Sequence, residues 1–199
     1  MMYTFLRYQL LPAFALLVAL SVLTGVAYPA AVTAIAQVAF PARANGSMIV
    51  VDGKTVGSTL IGQAFSDPKY LWGRPSAAGV TDASPAGYDA NASAGSNLGP
   101  TNQDLIDRVT AAVDQLRAAN GNNPMPVDLV TTSGSGLDPE ISPTAAEYQV
   151  ARIAAVRGIG KADVRAAIAR HTEQPVFGLL GQTRVNVLLV NLDLDGLLR

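Results

Sequence analysis

The chain has 199 residues, 49% of them hydrophobic but only 6% aromatic, with 14 Lys and Arg against 15 Asp and Glu and a formal net charge of −1. No basic surplus marks a nucleic-acid partner. The absence of Cys removes disulfides, thiolate metal sites, cysteine nucleophiles and lipid-modified Cys. In chain order, the first element is a run of 35 residues, Tyr8 to Ala42, without a single charged residue or His. Its densest part, Leu10 to Ala27, is about 27 Å long as a helix and nearly fills a hydrocarbon core of about 30 Å. Downstream residues are too polar and too interrupted by Gly and Pro to span again. The predicted organisation is a short N-terminal tail (1–9), a transmembrane anchor (10–32) and one extramembrane domain (43–199), which carries 13 Lys and Arg against 15 Asp and Glu.

A cleaved signal would need a basic start and a small-x-small site, which Arg7 and Ala34-Ile35-Ala36 offer. An apolar stretch of this length exceeds an ordinary signal core, so a retained anchor is the reading adopted; the alternative is an exported binding module released near Ala36. Pro29 predicts a kink or an end to the helix. Ser21, Thr24 and Gly25 present small side chains against which another helix could pack. Arg7 and the amine flank one side and Arg43 and Lys54 the other, and a long C-terminal domain crosses regardless of its charges. The N-terminus is placed inside and the domain outside.

Residues 46–65 read as a hairpin turning at Asp52-Gly53. From Ser66 to Pro100 neither helical nor strand period survives, and a loop of such length, with Tyr70, Trp72 and Tyr88 embedded, reads as ordered. Leu105, Ile106, Val109, Val113 and Leu116 mark an amphipathic helix over 102–120, stopped by Gly121. Residues 126–132 read as a strand and 133–142 as a loop. Ser142-Pro143 opens a helix to Arg157, and a third runs from Lys161 to His171. Val185 to Leu192 reads as a strand. The fold class is α+β, behind a single N-terminal transmembrane helix.

Chemistry-bearing patterns are sparse. Gly53-Lys54-Thr55 lacks the upstream Gly of a phosphate loop, since Met48 stands there. Ser133-Gly134-Ser135-Gly136 lacks the first Gly of a nucleophile elbow. His171, the only His, sits at a helix end, where a cation favours the dipole. One His and no Cys make a poor zinc site, and Asp193 with Asp195 reads as solvated charge. No catalytic residue and no metal ligand set emerges. The Gly-Ser stretch could cradle an anion on its backbone amides, but its simpler reading is a tight connection that needs positive φ at Gly134 and Gly136.

In order along the chain stand TGVAYP (24–29), NGS (45–47), GSTLIGQAF (57–65), GRPSA (73–77), GSNLG (95–99), VTTSGSGLDPEIS (130–142) and GQTRVNVLLVNLDLD (181–195), with Gln149 and Arg152 as a Gln-x-x-Arg pair. Together they resemble the C subunit of the Kdp potassium-transporting ATPase. Departures are small, at Ala94 and Gly160. The resemblance implies an accessory, non-catalytic subunit of a bacterial inner-membrane pump. Its implied partners are a potassium-selecting, channel-like subunit, a P-type ATPase subunit and the lipid bilayer. It further implies a catalytic chaperone that raises the ATPase subunit's affinity for ATP, with Ser133, Gly134, Ser135, Gly136 and Gln149 as nucleotide contacts and no tightly bound cofactor. That role needs the domain in the cytoplasm, against the outside placement above.

Overall fold

A computed structural model describes residues 2–81 and 86–198. It divides into two compact units, Met1–Met48 and Ile49–Arg199. The first is nearly all helix: α1 (Met2–Val22), a π-helical turn (Leu23–Ala27), α2 (Tyr28–Ala39) and a last turn, α3 (Pro41–Ala44). Of the kink or end expected at Pro29, the end does not occur: the helix runs on to Ala39. Proline cannot donate to the carbonyl of Gly25, and the widened turn just before it shifts the register so that Tyr28 N–H donates to the Leu23 carbonyl instead. The Thr24 hydroxyl donates to the Leu20 carbonyl at 2.7 Å, shielding it as the ladder widens. The apolar helix Leu6–Ala39 covers 34 residues, long enough and apolar enough to cross a bilayer.

A hairpin, β1 (Met48–Val51) and β2 (Lys54–Ser58), begins at the unit boundary and leads into the second unit. Asp52 and Gly53 both take positive φ, 49° and 76°, the mirror-image turn that the right-handed twist of paired strands requires. A long irregular segment follows. The helices α4 (Gln103–Asn120), α5 (Pro143–Arg157) and α6 (Lys161–Arg170) stand where helical periodicity put them. Asn102 caps α4 by accepting from Asp104 and Leu105 N–H, and the Ser142 hydroxyl caps α5 by accepting from Ala145 N–H at 3.0 Å. Gly158, at φ 66°, ends α5 in the left-handed conformation. The mixed α+β domain behind one long apolar helix thus matches the expected class.

Two apolar runs fold otherwise than expected. Residues 126–132 form no strand; Val127–Leu129 make a 3₁₀ turn, entered from extended Pro126 and held as the Thr131 hydroxyl donates back to the Val127 carbonyl. The turn still buries Leu129 and Val130. The run 185–192 splits: β5 (Arg184–Asn186) joins β3 (Glu140–Ile141) and β4 (Thr172–Glu173) in an antiparallel sheet ordered β3-β5-β4, and the rest is helix α7 (Val187–Leu194). Asn186 decides the switch, because its Oδ1 accepts from Leu189 N–H at 3.1 Å and caps the helix. Register pairs Val185 with both Ile141 and Thr172. The core gathers Ala145, Ala146, Val150 and Ile153 of α5, Val164 and Ile168 of α6, Val185, Val187 and Val190 around Leu71.

Candidate functional site

Leu71 belongs to the segment 66–100, which holds no helix and no strand among the described residues. Backbone polar groups that enter a core need partners, and here side-chain amides supply them. Asn191 of α7 accepts from Leu71 N–H at 2.7 Å and donates to the Leu71 carbonyl at 2.9 Å. Gln149 of α5 does the same for the next residue, accepting from Trp72 N–H at 2.9 Å and donating to its carbonyl at 3.0 Å. Each amide imitates a neighbouring strand. Both side chains are fully enclosed, at 0% exposure for Gln149 and 1% for Asn191.

Arg152, one turn beyond Gln149, completes the clamp. It donates to Gln149 Oε1 at 2.6 Å, to the Tyr70 carbonyl at 3.0 Å, to Asn120 Oδ1 at 3.0 Å and to the Pro68 carbonyl, and it stacks 4.0 Å over the Trp72 ring. Burial pulls its pKa down to about 10, with Asp67 opposing, so it is still a cation at neutral pH. Arg157 holds the same stretch from below, donating to the Lys69 and Leu194 carbonyls and pairing with Asp195 at 2.8 Å, which also accepts from the Tyr70 hydroxyl.

The Gly-Ser loop is tied to the same segment through Arg74, Ser76 and Ser93. Arg74 donates to the Thr131 and Thr132 carbonyls and pairs with Asp138 at 3.2 Å. The Ser76 hydroxyl donates to the Gly136 carbonyl at 2.5 Å and accepts from Tyr88 N–H, and the Ser93 hydroxyl donates to the Ser135 carbonyl. Within the loop the Ser133 hydroxyl accepts from Gly136 N–H and the Ser135 hydroxyl from Leu137 N–H. Two amides that could face an anion therefore face serines. The two glycines differ: Gly136 sits at φ 67° against the Ala94 carbonyl, whereas around Gly134 a Cβ would meet nothing within 4 Å and φ is ordinary. Gly136 thus meets Ser76, Ser135 meets Ser93, Gln149 meets Trp72, and the Ser133 and Gly134 carbonyls face Gly95, so these residues are spread along one segment rather than gathered in one cleft.

Tyr88 reports how tightly this region is closed. Its hydroxyl donates to the Arg74 carbonyl at 2.5 Å. Burial, with Asp138 adding and Arg74 opposing, pushes its pKa up to about 12. A raised pKa means that the fold favours the neutral phenol, so the contribution is whole below about pH 10 and is lost as pH rises towards 12. The full loss is about 2–3 kcal/mol. Chemical denaturation at pH 9 and pH 11.5 should show about 2 kcal/mol of that drop, and Tyr88→Phe should remove most of it while costing about 1 kcal/mol at pH 7. Equal alkaline losses in both proteins would refute the assignment.

His171 lies 2.9 Å from Asp193, which also accepts from Arg170 at 2.8 Å and is held below its ordinary pKa chiefly by that arginine. This carboxylate between two bases braces the α6–α7 junction. No group of three or more potential metal ligands gathers among the described residues. The ties from Arg74, Ser76, Asn191 and Arg157 escaped the sequence reading. One signal was available, since Asn186 and Asn191 interrupt an otherwise apolar run, where a buried amide must have a partner.

The class these features define is a small α+β domain, braced on its own long loop, carried behind one apolar helix. A family model for the K+-transporting ATPase c chain, KdpC, matches residues 10–196. The chain belongs to this KdpC family. It is 60% identical over 190 residues to a protein of Sorangium cellulosum (strain So ce56) named Potassium-transporting ATPase KdpC subunit, covering 94% of this chain and 97% of the relative. It is 57% identical to one of that name from Polaromonas naphthalenivorans (strain CJ2), covering 94% and 93%, and 54% identical to one from Herpetosiphon aurantiacus, covering 98% and 97%.

Proposed function

We propose that this chain is an accessory, non-hydrolytic subunit that assembles and steadies a high-affinity ATP-driven potassium uptake complex in the bacterial inner membrane. It is anchored by its first helix, with the N-terminus cytoplasmic and the domain outside, against a potassium-selecting channel-like subunit and a P-type ATPase subunit. The observation that carries this reading is the use of the domain's buried polar side chains: Gln149, Asn191 and Arg152 hold its own loop. A rigid domain with its polar groups so committed suits a structural partner. Retention of the anchor is supported by a helix that passes through Ala34-Ile35-Ala36 to Ala39, which speaks against an exported module cut near Ala36.

A second reading, a catalytic chaperone that raises ATP affinity, draws support from the open space around Gly134. Gln149 would have to surrender both bonds to Trp72 to serve it.

In the anchor, Ser21, Thr24 and Gly25 form the packing face. A Cβ at Gly25 meets nothing within 4 Å, so a larger residue there leaves the isolated helix intact and fills only the space a neighbour would use. Close helix approach and a cross-helix hydrogen bond are worth about 1–2 kcal/mol, a factor of about 5–30 in association. Thr24→Leu with Gly25→Leu should insert normally yet co-purify poorly with the channel-like subunit, while Leu16→Val with Leu17→Val should do much less. Equal recovery of both would make the helix a nonspecific anchor.

A further inference from the structure

Between β4 and β5 the chain projects a small hairpin. Val176 N–H donates to the Leu180 carbonyl at 2.9 Å and Leu180 N–H returns the bond at 3.0 Å; Gly178 N–H donates to the Pro175 carbonyl at 2.9 Å. The tip is thus a closed, hydrogen-bonded turn. Its side chains are Val176, Phe177, Leu179 and Leu180, exposed by 50%, 90%, 85% and 65%. Scattered exposed apolar residues need no explanation, but four within five positions of one ordered turn form a patch of the kind that marks an interaction site.

Two further observations say what kind of site. Phe177 stands at φ 55°, in the left-handed region that a bulky side chain rarely enters, next to Gly178 at φ 73°. Strain of this sort is kept where a direction matters, and it aims the ring away from the domain. A fluid lipid phase would reward apolar area without demanding a direction. The tip also carries no charge from Gln174 to Thr183. At its neck the Thr183 hydroxyl donates to Gln174 Oε1, and Arg184 is already engaged by Glu140 at 2.7 Å and Glu173 at 2.5 Å. No uncommitted cation at the neck would steer it to anionic headgroups. An aromatic at the centre, aliphatic neighbours and a ring of uncharged polar groups are the make-up of a protein–protein hot spot with its rim.

We propose that the hairpin tip Val176–Leu180 is a docking knob, with Phe177 and Leu179 as anchors, seated in an uncharged apolar pocket of another subunit of the same potassium-transporting ATPase. This rests on the chain's membership in the KdpC family as an ATPase subunit. A photo-crosslinking phenylalanine analogue at position 177, in the complete complex within native membranes, is expected to give adducts to another subunit. Adducts to lipid alone, to a second copy of this chain, or to no protein of the complex would overturn the proposal. Phe177→Ser with Leu179→Ser is expected to reduce recovery of the other subunits on a tagged full-length chain at least tenfold, with the chain's own melting temperature unchanged, because both side chains are already in water. Val127→Ser, another well-exposed apolar site on the domain at 70%, is expected to leave recovery intact. Recovery within twofold of the unsubstituted chain sinks the knob, whereas failure of the unsubstituted chain to recover any subunit sinks the subunit reading itself.

Discussion

Replacing Arg152 with alanine is expected to destabilise the extramembrane domain by about 3–5 kcal/mol, because one substitution breaks several hydrogen bonds of a buried network at once. The side chain is 7% exposed and donates to the carbonyls of Pro68 and Tyr70 and to the side chains of Asn120 and Gln149. Its loss takes the donor from the Pro68 and Tyr70 carbonyls and Asn120 Oδ1 and leaves Gln149 Oε1 with Trp72 N–H alone, and a buried acceptor left unpaired costs about 1–3 kcal/mol. It also removes the guanidinium from the face of Trp72, the only tryptophan, so fluorescence follows both the substitution and the unfolding. For a domain of this size the expected fall in Tm is on the order of 10 °C. Arg152→Lys keeps the charge but not the planar fork and should recover less than half of the loss. A change below about 1 kcal/mol would mean that Arg152 contributes little to holding residues 66–75.

Gly136→Ala should cost about as much, about 3–5 kcal/mol, while Gly134→Ala two residues away should cost less than about 1 kcal/mol. At Gly136 φ is 67°, and a Cβ would stand 2.4 Å from the Ala94 carbonyl oxygen and 2.8 Å from Ala78 N, both backbone atoms with nowhere to go. The left-handed conformation alone costs a non-glycine residue about 1–2 kcal/mol. At Gly134 neither objection applies. Denaturant unfolding of the two variants side by side reads the difference. The same pair separates the two readings of the Gly-Ser loop. If Gly134→Ala leaves the fold intact but lowers the complex's apparent ATP affinity, the loop serves a nucleotide; if only Gly136→Ala matters, and through stability, it is a connection.

What was legible in the sequence was local. Asp52-Gly53 announced its turn because the two residues that accept positive φ stood together, and α4 and α5 announced theirs through caps and periodicity confined to one element. The apolar run 185–192 was ambiguous by nature, since a segment buried on all sides has no polar face to reveal its period. Asn186 tipped it to helix, and the same residue also donates to the Thr59 carbonyl 127 positions away. Long-range ties of this kind made the rest unreadable. Gln149 meets Trp72 across 77 positions and Asn191 meets Leu71 across 120, and nothing in local pattern records such partners. The resemblance to the Kdp family singles out Gln149 and the Gly-Ser loop as nucleotide contacts, while the structure supplies what each of them touches within the chain.

The side of the membrane on which the domain lies is the point on which the whole functional reading turns, because a domain outside can steady a potassium channel-like partner but cannot share cytoplasmic ATP. The chain has no Cys, so a single Asn122→Cys substitution in the exposed turn after α4 gives one addressable thiol. With a membrane-impermeant maleimide on intact cells carrying the assembled complex, labelling is expected before the inner membrane is opened. Labelling that appears only after it is opened would place the domain in the cytoplasm and contradict the structural-partner reading in favour of the nucleotide one.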